Sequence, residues 1–65
     1  MCLSTAYRNE KSPEAIVMKN VMALECREGF VLLTDLMERT AAIEGTLEMA
    51  NLVEGFVIIR TPEGE

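Results

Sequence analysis

The sequence predicts an all-β fold, a small barrel or sandwich, from two observations. Short segments rich in branched and aromatic residues recur along its 65 residues, and turn signals separate them at intervals of about 8–12 residues. Each of the four glycines follows a glutamate, and glycine supplies the positive φ that tight turns need. Because a chain of this length has no room for a second domain, we expect one domain over residues 1–65.

The first part of the chain predicts strands joined by a polar loop. Leu3–Arg8 alternates in a way typical of a strand. Asn9–Pro13 is a polar loop, and Ala15–Met18 is a short apolar run. Val21–Arg27 alternates again and predicts a half-buried strand. Its apolar face carries Cys26, which we therefore expect to be a buried small hydrophobe, in register with Met22 and Leu24.

Two stretches of the chain are near copies of each other. Glu28–Thr34 and Glu54–Thr61 each begin with Glu-Gly-Phe-Val and continue with branched residues, which indicates a turn followed by a strand. We interpret the similarity as two hairpins that use the same local turn and strand, rather than as an internal duplication. The runs Phe30–Leu33 and Val57–Ile59 are apolar on both faces, so we expect these strands to be central in the barrel or part of a subunit contact.

The segment 36–44 gives conflicting signals. Asp35 is a good N-cap residue with Glu38 three places later, and Gly45 is a stop signal, so the local pattern favours a helix. Thr40, Ile43 and the rhythm of the whole chain favour a strand, and both readings stay open. Farther on, Asn51–Gly55 predicts a turn between strands at 47–50 and 56–60.

Composition excludes most function classes. The chain has no histidine, so it holds no Ser-His-Asp triad, no Cys-His dyad and no histidine metal ligand, and we expect no enzyme activity. Its net charge of −5 argues against nucleic acid and anionic lipid as partners. We find no apolar segment long enough to span a membrane and no signal peptide, and we expect a cytoplasmic protein with reduced thiols.

The apolar content predicts a homodimer. A chain near this length buries only about 60% of its unfolded surface, yet 49% of these residues are hydrophobic. Small domains usually need a disulfide, a metal or a partner subunit. Two cysteines could form at most one internal disulfide. A two-fold dimer is therefore the simplest way to bury the remaining exposed apolar surface.

Cys2 is the residue best placed to carry chemistry. If Met1 is removed, the amine and thiolate of Cys2 close a five-membered N,S chelate. If Met1 stays, its amine, the Cys2 amide nitrogen and the Cys2 sulfur form two fused rings. Such planar sets suit Ni(II) and Cu(II), whereas zinc prefers four tetrahedral ligands. A lone cysteine near a chain end has no special role in most proteins. On spacing alone, an inert Cys2 thiol therefore remains an alternative to a metal ligand.

The start Met1-Cys2-Leu3-Ser4 resembles the CooT family of small nickel-binding proteins. The likeness extends over the length of the chain, a short strand ending near Tyr7, and the glycine-punctuated strands. It implies a homodimer of small antiparallel SH3-like β-barrels. It also implies that Cys2, with Met1 as an amine donor, binds Ni(II) near the dimer interface for carbon monoxide dehydrogenase maturation. The resemblance favours a strand at 39–44.

Two other functions compete with a nickel chaperone or store. Sm-like and SH3-like barrels often bind RNA, although the charge and the three aromatic side chains, one Tyr and two Phe, argue against this. The chain could also be an accessory subunit that holds a larger enzyme through an apolar edge, without any metal.

Overall fold

The computed structural model describes residues 3–62, and in this range it confirms an all-β fold. Six strands form one sheet, with a single 3₁₀ turn at Pro13–Ala15. The strands are β1 Ser4–Arg8, β2 Ile16–Arg27, β3 Phe30–Asp35, β4 Thr40–Glu44, β5 Thr46–Asn51 and β6 Phe56–Arg60. Their hydrogen-bonded order is β4-β3-β2-β1-β6-β5. Residues 3–62 contain no helix long and apolar enough to cross a membrane.

The sheet is mixed and open, so the expectation of a closed antiparallel barrel was wrong. Four of its strand pairs are antiparallel, but β1 and β6 run parallel, with Ala6 opposite Val57. The cause is at Gly45, where β4 passes directly into β5 instead of reversing in a hairpin. With one reversal missing, β6 runs in the direction of β1. The terminal strands β4 and β5 are joined by one residue, too few to let them pair with each other.

The bend at Gly45 requires glycine. Its φ is +143°, and a Cβ there would collide with the carbonyl oxygen of Arg60 and lie 3.1 Å from the Cα of Thr61. Its N–H also donates to the carbonyl of Gly29, at 3.1 Å. Close backbone approach and positive φ together exclude a side chain.

One face of the sheet carries the core. Its buried members come from β1, β2, β3 and β6: Ala6, Val21, Val31, Leu33, Val57 and Ile59. The doubly apolar runs were expected to be central in a barrel or part of a subunit contact. In this open sheet β3 and β6 each have a neighbouring strand on both sides, which agrees with a central position. On the other face Phe56 packs edge-on against Tyr7, with ring centroids 6.1 Å apart. The Lys11 ammonium lies 4.5 Å from the Phe56 centroid.

β2 is one long strand where the sequence indicated a short run and a separate strand. It is bent, because Asn20 has φ +57° and the register shifts between Val21 and Ala23. This shift leaves Met22 46% exposed. Cys26 pairs with Val31 but is exposed, so its predicted burial was wrong. It lies beyond the point where β1 begins, at the end of the β2–β3 hairpin.

The helix favoured locally at 36–44 does not form, and the strand reading is confirmed for Thr40–Glu44. Asp35 does act as the predicted capping residue, because its carboxylate accepts hydrogen bonds from the backbone N–H groups of Met37 and Arg39, both at 2.9 Å. Glu38 then takes φ +65°, which leaves the helical region. The residues that follow pair with β3 along its full length.

Candidate functional site

The predicted ligands Met1 and Cys2 lie outside the described residues, and the structure shows what holds the residues that follow them. Ser4 pairs with Val21 of β2. On the other side, the Thr5 N–H donates to the Gly55 carbonyl at 3.0 Å. A Cβ on Gly55 would lie 3.4 Å from the Leu3 carbonyl oxygen. The start of β1 therefore lies between β2 and the β5–β6 turn, with the Leu3 carbonyl beside Gly55.

The β5–β6 turn beside Leu3 is well fixed. The Asn51 side-chain oxygen accepts the N–H groups of Val53 at 3.1 Å and Glu54 at 2.9 Å. The Gly55 N–H donates to the Asn51 carbonyl at 2.8 Å, and the φ of Gly55 is +82°. The turn predicted over Asn51–Gly55 is thus confirmed. At its tip Leu52 is 76% exposed and Val53 95% exposed.

A second loop, between β3 and β4, presents apolar side chains level with the start of β1. Val21, the partner of Ser4, also pairs with Asp35 of β3. The next residue, Leu36, donates its N–H to the Asn20 carbonyl at 2.9 Å. Leu36 and Met37 are 52% and 71% exposed. We call these side chains, with those of Met22, Leu52 and Val53, the apolar end. Sequence analysis missed it, although the adjacent apolar residues Leu52 and Val53 inside the turn predicted over Asn51–Gly55 were a signal.

The electrostatics of this end centre on Asp35. Its side chain is buried, and Oδ2 accepts the Arg39 Nε–H at 3.0 Å. The backbone N–H of Arg39 is the main cause that lowers the pKa of Asp35, with further lowering from the Arg39 charge and the Met37 N–H, against the opposing effect of burial. Asp35 is therefore a charged structural group whose oxygens are already engaged.

The described residues do not assemble a metal site among themselves. In the range 3–62 no three Cys, Asp or Glu side chains are grouped to hold an ion, and the chain has no histidine. Cys26 is five residues from Val21 on the same strand, about 17 Å along it, so it is remote from the start of β1.

An open cleft lies at the opposite end of β1. Its volume is about 580 Å³, and it lies between the end of β1, the 3₁₀ turn and β4. Arg8, Glu10 and Glu14 supply its charges, and Ile43 supplies part of its apolar wall. Among the residues that the structure describes, no thiol lines it.

Comparison with known proteins identifies the family. The family model described as "CO dehydrogenase accessory protein CooT" matches residues 1–60. The fold is similar to the crystal structure of a proposed CooT from Carboxydothermus hydrogenoformans, with a TM-score of 0.78 and 18% identity over 92% of this chain and 97% of that one. No curated protein matches the chain. Since the family model spans nearly the whole sequence, including Met1 and Cys2, the chain belongs to the CooT family of CO dehydrogenase accessory proteins.

Proposed function

We propose that the chain binds Ni(II) through Cys2 as cargo, and serves as a metallochaperone or nickel store for CO dehydrogenase maturation. The observation that carries this proposal is the family match over residues 1–60, which includes Cys2. The accessory family implies a maturation role without catalysis of its own.

The proposed ligand chemistry follows from the donor types. The Cys2 thiolate, the Cys2 nitrogen and, where Met1 is retained, the Met1 amine supply sulfur and nitrogen donors in small chelate rings, which suit square-planar Ni(II). Each donor must lose a proton before it binds, so affinity should rise with pH. A ligand set of one or two residues is easily exchanged stepwise for ligands of a client enzyme, as delivery requires.

The proposed active species is a homodimer. Within residues 3–62, six large hydrophobic side chains are at least 44% exposed in the single chain, and they are Met49 and the five of the apolar end. A second subunit is the simplest cover for part of this surface, and it places a second Cys2 in the same molecule. The dimer would then carry two nickel ligand sets near its interface.

A matched pair of cysteine variants tests nickel binding. We expect wild-type protein titrated with Ni(II) to develop a thiolate-to-nickel charge-transfer absorption. Cys2→Ser should lose this band and bind more than about 100-fold more weakly, because loss of a direct ligand exceeds the effect of losing its supporting contacts. Cys26→Ser is the control and should titrate like the wild type. Undiminished binding by Cys2→Ser would refute the proposed site.

Delivery is tested with the client. Nickel-loaded wild-type protein should activate nickel-free CO dehydrogenase faster than the same concentration of free Ni(II), and Cys2→Ser should give no acceleration. Pull-down of the enzyme with and without Ni(II) separates this function from a metal-free accessory subunit. Capture that does not respond to nickel, together with equal activation by Cys2→Ser, would favour the accessory subunit.

A further inference from the structure

Strand β4 has a regular outer edge that no other strand of residues 3–62 covers. β4 is the last strand in the hydrogen-bonded order, with β3 as its neighbour on one side. It pairs with β3 at five successive positions without a register shift, from Phe30 opposite Glu44 to Thr34 opposite Thr40. An unpaired edge of a regular strand is a ready template for another strand.

Two hydrogen bonds just beyond the ends of the β3–β4 pairing show which backbone groups point to this edge. The Gly45 N–H donates to the Gly29 carbonyl at 3.1 Å, and the Asp35 N–H donates to the Arg39 carbonyl at 2.9 Å. Hydrogen-bonded and non-hydrogen-bonded pairs alternate along an antiparallel ladder. The odd-numbered residues of β4 therefore bond to β3, and its even-numbered residues direct their N–H and C=O groups outward.

The other terminal strand, β5, is less suited to pairing. Its register with β6 shifts between Leu47 and Met49, and such irregularities protect natural sheet edges. β4 has no such shift, and its residues Thr40–Glu44 include no proline and no lysine. Strand addition is therefore expected at β4 rather than at β5.

The cleft at the end of β1 lies beside the outer edge of β4. Ile43 of β4 and the residues Ile16 and Val17 at the start of β2 all line it, whereas its described lining includes no residue of β3. Ile43 also packs against the core. A strand added to β4 would direct every second side chain to the face of Ile43, and thus toward the apolar lining of the cleft. Peptide recognition by strand addition commonly combines main-chain hydrogen bonds with such a pocket.

The charges around the cleft favour a basic ligand. Glu10 and Glu14 line it together with one cation, Arg8, and Glu44 is exposed at the end of β4. The whole chain carries a net charge of −5. Complementary charge speeds association and selects among partners, so lysine or arginine beside the aliphatic residue would strengthen binding.

We propose that the outer edge of β4 binds an extended segment of a partner protein by strand addition, with an aliphatic side chain in the cleft and lysine or arginine next to it. An accessory-protein family implies a protein partner, which favours a peptide segment as the occupant. The cleft lies at the end of β1 opposite to its start at Ser4, so this binding does not require nickel.

NMR titration with short blocked peptides tests strand addition. The probe is acetyl-Lys-Val-Lys-Val-Lys-amide, whose valines share one face and whose lysines share the other. We expect saturable shifts of the Ala42, Glu44 and Val17 amides, and slower hydrogen exchange at Ala42. Because successive residues direct their N–H groups to opposite edges, N-methylation of the central lysine and the next valine removes a bonding N–H in either strand direction. That peptide should bind at least about fivefold more weakly, and acetyl-Glu-Val-Glu-Val-Glu-amide should also bind more weakly than the probe.

Matched variants of the full chain locate the contact. Ala42→Pro removes an outward N–H and spares the bonds to β3, so it should weaken probe binding at least about fivefold, whereas Ala42→Val should not. Glu14→Lys should weaken it at least about threefold at low salt, and Glu48→Lys, the same charge change on β5, should not. Cys2→Ser should bind the probe like the wild type. Circular dichroism checks that each variant is folded.

The outcomes separate the possible occupants of the edge. Wild-type Ala42 and Glu44 amides that do not respond to the probe, or equal binding by Ala42→Pro and Ala42→Val, would overturn strand addition. A wild type that ignores the probe but loses a dimer in Ala42→Pro would assign the edge to a second copy. A chain ending at Pro62 that binds the probe at least tenfold more tightly than the full chain would assign the edge to residues 63–65. Nickel titration of the same proteins tests the proposed function separately.

Discussion

Asn9 and Thr61, 52 positions apart in the chain, exchange two hydrogen bonds. The Thr61 N–H donates to Asn9 Oδ1 at 2.9 Å, and Asn9 Nδ2 donates to Thr61 Oγ1 at 3.0 Å. The Asn9 N–H also donates to the Ile59 carbonyl at 2.8 Å. These bonds tie the ends of β1 and β6 together, and thereby secure the parallel pair that connects the two halves of the sheet.

Asn9→Ala should destabilise the fold by about 2–3 kcal/mol. Two side-chain hydrogen bonds are lost, at about 1 kcal/mol each, and alanine is disfavoured at the φ of +67° that Asn9 adopts. Asn9→Gly loses the same bonds but tolerates this φ, so its cost should be about 1 kcal/mol smaller. Urea unfolding of the three proteins measures the difference, and equal stability of the alanine and wild-type proteins would contradict the account.

Gly45→Ala should be the most damaging of the glycine substitutions in the described strands and turns. The new Cβ would meet the Arg60 backbone, which cannot move without disrupting the pairing of β5 with β6, so we expect a loss of about 3 kcal/mol. Gly29→Ala is the matched control, because Gly29 has φ +89° but open space where a Cβ would be. It should cost about 1 kcal/mol. Thermal unfolding ranks the two variants, and the reverse order would be inconsistent with the bend.

Asp35 should make stability depend on pH in the acidic range. Its folded pKa is below the ordinary value of 3.8, so the ionised carboxylate stabilises the fold above that value, and this contribution is lost as pH falls through the folded pKa. Asp35→Asn keeps one acceptor oxygen but removes the charge. The stability gap between wild type and Asp35→Asn should be widest near pH 6 and should close toward pH 2.

Chemical denaturation at several pH values measures this gap. Glu14→Gln, which replaces an exposed carboxylate, is the control and should follow the wild-type curve. A gap between wild type and Asp35→Asn that stays constant from pH 6 to pH 2 would show that the Asp35 charge does not support the loop.

The strands could be predicted where the local sequence pattern favours the same structure that the strand takes in the sheet. β1, the turn at Asn51–Gly55 and the central strands β3 and β6 all follow from alternation, glycine and branched residues. The direction of β6 was not predictable, because it depends on whether Gly45 reverses or bends the chain, and a Glu-Gly pair is compatible with either. At Asp35 the capping chemistry was recognised correctly, but only the pairing of β4 with β3 decides that a strand follows.

The sequence gives more information about the candidate metal site than the described fold does. Cys2 was selected by its position and by chelate chemistry, and the family match includes it. The exposure of Cys26 could not be foreseen, since alternation predicts which face a residue occupies but not where the opposing core ends. The apolar end likewise belongs to two loops whose level relative to the start of β1 depends on the strand register.

Native mass spectrometry of the wild type in excess Ni(II) is the sharpest test of nickel binding through Cys2. We expect one nickel ion per chain in the wild type and in Cys26→Ser, and none retained by Cys2→Ser. A wild-type protein that emerges free of nickel, or a Cys2→Ser protein that retains a full complement, would contradict it.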